Sequence, residues 1–165
     1  MSANPANFEE RLEVVRETFA ALIAADEWIA RAPAIQVLTE AKGDVAAQIT
    51  QALAKLGLAI VVVAADADDL KRSGAGFLLR CRLVAQISEK PLLWRAAPPP
   101  YRPALSAAVR ILKAVDKKPN GLDPAGVPHR SGVNEFEAAT DRPFELLKGT
   151  ADTIYEVSAH TWVQL

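Results

Sequence analysis

The sequence predicts an α+β protein: a single, mostly antiparallel sheet with helices packed on one face. Three stretches carry this reading. Phe77–Ser88 (FLLRCRLVAQIS) is apolar at every odd position, and Arg80, Arg82, Gln86 and Ser88 occupy even ones. Strand side chains alternate with period two, so this is one buried face and one mostly wet face, interrupted by Leu78 and Val84. Leu58–Ala64 is a near-continuous apolar run that directly follows a helical pattern. Ala151–Leu165 alternates again, with Tyr155, Val157, Ala159 and Val163 opposite Asp152, Glu156, Ser158, His160 and Gln164. A long strand with one polar face fits an antiparallel sheet covered by helices on one side.

The chain of 165 residues is read as one domain, with an N-terminal helical segment over 1–32 and an α+β core over 43–165. A net charge of −1 gives no whole-chain attraction to nucleic acid or an anionic membrane. The single cysteine, Cys81, excludes an intrachain disulfide and points to a reducing compartment. Glu9, Glu10 and Glu13 stand where a secretory signal needs a basic segment and an apolar run. The longest apolar run, Leu56–Ala65, is about half the ~20 residues of a membrane helix. A soluble intracellular protein is expected.

Asn7 can cap a first helix, with Glu10 completing a variant of the capping box. Phe8, Leu12, Val15, Phe19, Leu22 and Ile23 form its apolar stripe. Pro33 is expected to break the helix after Trp28–Ala32. Ala34–Thr39 reads as a short strand. Asp44 then caps a helix whose face is Val45, Ile49, Ala52, Leu53 and Leu56, and Gly57 can close it. The valine-rich Leu58–Ala64 that follows reads as an interior strand with both faces largely covered.

Ala65–Ala75, holding Asp66, Asp68, Asp69, Lys71, Arg72 and Gly74, is expected to be a polar loop into the central strand. Ala96–Pro100 (AAPPP) is a stiff connector. Pro103 suits the first turn of another helix, with Leu105, Ala108, Val109, Leu112 and Val115 as its buried stripe. Lys113, Lys117 and Lys118 complement its C-terminal dipole, and Pro119–Asn120–Gly121 ends it. Leu122–Asp141 is punctuated by Pro124, Gly126, Pro128 and Gly132 and reads as a long loop. Phe144–Leu147 begins a closing hairpin, with Gly149 near its turn.

The residues offer little chemistry. His129, His160, Cys81 and scattered carboxylates show no metal-binding spacing, and the Asp66–Asp69 cluster lacks the calcium-loop pattern. Cys81 falls on the apolar face of its strand, where a thiol is inert packing. The sequence has no G-x-S-x-G elbow and no phosphate loop, so neither a catalytic residue nor a cofactor is assigned. Arg80 and Arg82, with Arg95 and Arg102, form either a basic surface or an ordinary solvated sheet face. Trp162 is either an interface anchor or lies under the Leu122–Asp141 loop.

The order of these elements resembles the tail terminator, or tail completion, proteins of long-tailed bacteriophages and prophages. The Asp44–Leu56 helix, the strands Leu58–Ala64 and Phe77–Ser88, the Pro103–Val115 helix and the terminal Thr153–Leu165 strand carry the resemblance, over Gly43–Leu165. It is one of pattern and transfers no functional residue. The resemblance implies a subunit that closes into a ring, a hexamer in that family, at the head-proximal end of the tail and presents a surface to the head connector. Its partners would be copies of itself, the tail tube and head-completion proteins; it would act in the host cytoplasm and in the virion. The two long loops would then contact neighbours. The candidate interface residues are Asp66, Asp68 and Asp69 in the first loop and His129 and Arg130 in the second. Arg80, Arg82 and Trp162 on the strands complete the set. A ligand-binding or enzymatic α+β domain is the alternative, and would require a pocket between the sheet and Leu122–Asp141.

Overall fold

The structure, a computed structural model, describes residues 7–30, 37–39, 44–56, 58–74, 76–89, 104–122, 134–140, 145–147 and 153–165. It is α+β, with helices against a six-stranded, mostly antiparallel mixed sheet. The helices are α1 (Phe8–Ala24), α2 (Glu27–Ala30), α3 (Val45–Leu56) and α4 (Ala104–Val115). The strands are β1 (Val37–Thr39), β2 (Leu58–Ser73), β3 (Gly76–Glu89), β4 (Glu137–Ala138), β5 (Glu145–Leu147) and β6 (Thr153–Gln164). Their order is β1-β2-β3-β6-β4, with β5 also paired to β6, and β1 to β2 is the parallel pair.

Asn7 caps α1 as expected: its backbone is extended and its Oδ1 accepts the Glu10 N–H at 2.8 Å. Val15, Phe19 and Ile23 are fully buried, and Phe8, Leu12 and Leu22 flank them. The helix stops at Ala24, sooner than Pro33 would require. Asp26 starts the separate turn α2 by accepting the N–H groups of Trp28 and Ile29 at 3.0 and 3.2 Å. It also receives Arg110 Nε of α4 at 3.3 Å, so one carboxylate both restarts the chain and ties it to a second helix. Pro33 and Ala34–Gln36 lie outside the described residues.

The main core joins α1 and α4 to one phase of the sheet. Leu58, Ile60 and Val62 of β2, Cys81, Leu83, Ala85 and Ile87 of β3, and Val157, Ala159 and Val163 of β6 supply that phase. Asp44 caps α3 by accepting the Ala47 N–H at 3.0 Å. Leu53, with Ile49 beside it, packs on Ala59, which has the opposite parity to Leu58 and Ile60. α3 therefore reaches the second face of the sheet, and Leu58–Val62 of β2 is buried on both sides, as its composition implied.

α4 buries a face rotated from the one expected, keeping Ala108 and Val115 of the expected stripe. Ala104, Ala107, Ala108, Ile111 and Val115 are buried, whereas Leu105 is 47 % exposed and Val109 and Leu112 are half-buried. Small side chains let the helix lie close to the sheet, and the bulkier leucine is left outside. Glu89 Oε2, at the end of β3, accepts the Ala104 N–H at 2.8 Å and fixes the start of α4. The helix ends through Lys117 in the left-handed region (φ 57°), ahead of Gly121.

The expected loop Leu122–Asp141 is anchored at its far end. Phe136 is fully buried, edge-on to Phe19 with ring centroids 5.2 Å apart, and Glu137–Ala138 pairs with β6. Asn120 is buried and gives its Nδ2 to Thr161 Oγ1 at 2.9 Å, and Thr161 in turn donates to the Glu135 carbonyl. The closing strand pair is present as β5 with β6; Gly149, Gly57 and the 96–100 connector lie outside the described residues.

The largest correction concerns Ala65–Ala75. β2 continues through these residues to Ser73, in register with β3 down to the closing pair Ser73 and Gly76, with Gly74 at φ 60° in the turn. Two bulges, between Ala64 and Asp66 and between Ala67 and Asp69, absorb one residue each. Their acids and glycine resemble loop composition, but each bulge resets the alternation. Ala67 then falls opposite Cys81 and Leu70 opposite Leu79.

Gly121 gives the fold a point of close approach. Its φ is +86°, and a Cβ there would run into the Thr18 side chain of α1. Gly121→Ala is expected to lower stability by about 1–3 kcal/mol, read as a lower urea midpoint. Adding Thr18→Ala should recover the steric part and leave the backbone part, about 1 kcal/mol.

Candidate functional site

Beyond its buried first half, β2 leaves the covered part of the molecule. Residues 66–73 are exposed on both faces, Asp69 alone being half-buried. With the start of β3 and the end of β6 they form a three-stranded arm. The ladder sets Asp66, Arg82, His160 and Glu137 in one row across four strands. The next row of the same face holds Asp69, Arg80 and Trp162. Six of the eight candidate interface residues thus meet on one face, although three of them were expected in a loop. His129 and Arg130 lie outside the described residues.

The first bulge brings Asp66 and Asp68 to this face, and the second, at Asp68, keeps Asp69 on it as well. Its Oδ1 accepts Arg80 Nε at 2.7 Å and its Oδ2 accepts Arg80 Nη2 at 2.9 Å, a two-pronged charge-assisted pair. His160 Nε2 stands 3.3 Å from the same Oδ2. One carboxylate on β2 therefore ties together β3 and β6. The Arg80 hydrogen bond holds the Asp68 carboxyl below its ordinary range against a smaller opposing effect of burial, and Asp68 raises Arg80 in return. Arg82 Nη1 lies 3.9 Å from Asp66, and Lys71 Nζ lies 4.0 Å from Asp69.

Trp162 is the aromatic centre of the face. Lys71 Nζ sits 4.3 Å from its ring centroid and Arg80 Cζ 5.9 Å, both within cation–π range. Farther in, Gln86 Nε2 donates to Glu156 Oε1 at 2.8 Å. On the other phase of the arm, Arg72 lies over Phe77 at 5.5 Å, and Leu70, Phe77 and Leu165 are exposed. Arg11 Nη1 holds the Gln164 carbonyl at 2.9 Å, tying the end of β6 to α1.

His160 is the residue that sequence reasoning undervalued. It was weighed only as a metal ligand, but its place two residues from Trp162 on one strand already put both on one face. Its contact with Asp68 depends on the bulge, which no periodicity announces. Among the described residues, no group of three or more His, Cys, Asp or Glu is disposed to hold a metal ion. Nor is any described helix long and apolar enough to cross a membrane. Arg80 and Arg82 face carboxylates, so the arm is a mixed-charge face with an aromatic centre rather than a basic patch. No family model matches the chain, and no curated protein matches it either.

Cys81 lies beneath the arm on the core phase, 3 % exposed. Burial, aided by the nearby Asp68 charge, pushes its thiol up to about 11. In the folded protein Cys81 is expected to resist maleimide at neutral pH and to react fully in urea, followed by mass spectrometry.

Asp68→Asn should lower stability at pH 7 by less than about 1 kcal/mol, since the pair is partly solvated. Because the folded carboxyl titrates below its unfolded value, this contribution is present above the unfolded range, about pH 4, and is lost as pH falls through the folded value. Urea midpoints of the parent and Asp68→Asn should therefore converge in acid.

Proposed function

We propose that this chain is a structural assembly subunit of the tail terminator kind. It would close into a ring of copies at the head-proximal end of a long phage tail and join tail to head. The observation that carries this reading is the arm: a strand buried on both faces over Leu58–Val62 and solvated on both faces over residues 66–73. A projecting sheet with an aromatic residue set among paired charges is suited to a protein contact, where tryptophan and arginine are favoured anchors. The element order over 43–165 supports the phage assignment by resemblance. Work in the bacterial host cytoplasm and incorporation into a virion follow from the same reading.

A ring needs a heterologous contact, in which the arm of one copy meets a different patch of the next. The polar face around Trp162 and Arg82 is the surface assigned to that contact. The test is molar mass by light scattering across a concentration series, with negative-stain images, in the absence and presence of isolated tail tubes. Rings are expected, alone or at the tube ends. Trp162→Ala and Arg82→Ala should abolish them while moving the urea midpoint by less than about 1.5 kcal/mol, as for partly exposed positions. Failure to form rings or bind tubes in either condition overturns the proposal, as do rings that survive both substitutions.

A further inference from the structure

The outer edge of β2 carries a second contact of a different symmetry. Among the described residues, β1 covers this edge only at Ile60–Val62. Past the second bulge, residues 69–73 run in strict register with β3 up to the closing pair Ser73 and Gly76. In a hairpin closed by a two-residue turn, the pair flanking the turn exchanges hydrogen bonds, and alternate residues then turn their N–H and C=O outward. Arg72 and Leu70 are the outward residues. The Leu70 N–H confirms this direction: it is taken by the Asp69 carboxylate at 2.8 Å, outside any ladder.

The side chains along this edge are self-complementary. Their order is Asp68, Asp69, Leu70, Lys71, Arg72. In an antiparallel pairing of two copies centred on Leu70, Asp69 opposes the other copy's Lys71 on the polar face. Leu70, 53 % exposed, meets its own counterpart on the apolar phase of both arms. Shifting the centre to Lys71 would set like charges opposite each other, a destabilising arrangement. The bulges stop the pairing from spreading toward Val63 and keep it short, as protected edges do.

We propose that two copies of this chain pair antiparallel through their β2 edges, about a two-fold axis at Leu70. Each Leu70 N–H exchanges the Asp69 carboxylate for the partner's Leu70 carbonyl, freeing Asp69 for the partner's Lys71. This contact is isologous and closes at two copies, so it is independent of the ring reading and cannot generate a ring.

The test is crosslinking with a short bis-maleimide, alongside molar mass. Leu70→Cys brings the two residue-70 Cα atoms about 5.5 Å apart across the axis, within reach of the reagent. Ser73→Cys places the corresponding pair about 20 Å apart, six residue steps along the strands. Leu70→Cys should give a two-copy product and Ser73→Cys and the parent, with Cys81 buried, none. In the Trp162→Ala background, which removes the ring contact, Lys71→Asp and Asp69→Lys should each remain single by light scattering, and a mixture of the two should restore the two-copy mass. Equal crosslinking of both cysteine variants overturns the proposal, as does a Leu70→Cys chain that never crosslinks. Pairing that survives either charge reversal does so too. Trp162→Ala lies outside this edge and should still pair, which separates failure here from failure of the ring.

Discussion

The ladder between β2 and β3 is the constraint on which the rest depends. It runs from Leu58 against Glu89 to Ser73 against Gly76, and it passes from a dry environment to a wet one. At the dry end, Leu58, Ile60 and Val62 face α1 and α4 while Ala59 meets Leu53 of α3. At the wet end, residues 66–73 of β2 are exposed but for half-buried Asp69, while Cys81 of β3 opposite Ala67 stays in the core. A regular alternation carried straight through would have put Asp66 and Asp68 on the core phase. The first bulge prevents this by moving both to the polar face and Ala67 to the core phase, and the second keeps Asp69 on the polar face and returns Leu70 to the other.

That correction creates the site. Asp68 reaches Arg80 and His160 because it occupies the second bulge, and Arg80 in turn leans on Trp162. Each contact is partly solvated and individually weak. Their common effect is geometric: they tie β2, β3 and β6 together and keep Trp162 at the centre of a fixed charge pattern. The exposed outer part of β2 is thus held by polar contacts to strands whose other phase, at Cys81 and Val163, is buried.

Much of this was legible in the sequence, for physical reasons that also mark its limits. Phe77–Ser88, Leu58–Ala64 and the C-terminal alternation declared themselves because strand period and burial agreed there. Asn7 and Asp44 were legible as caps because their chemistry is local. The Ala65–Ala75 segment was misread because bulges erase the period and aspartates are turn formers out of context. The α4 stripe was right at Ala108 and Val115 and wrong at Leu105, because hydropathy favours the leucine while the close approach to the sheet favours Ala104 and Ala107. The six clustered site residues were found individually, but their meeting required the β3–β6 register, which pairs Arg80 with Trp162 and Arg82 with His160 and has no local signature.

The most direct measurement is residue-resolved amide hydrogen exchange across 66–73. A continuous strand with a free edge predicts alternation in the dispersed protein: Asp69 and Lys71 protected by their bonds to β3, Leu70 and Arg72 exchanging fast. Assembly through the edge should then slow Leu70 and Arg72. Uniformly fast exchange over the whole stretch would mean that no arm exists, and would contradict the account at its root.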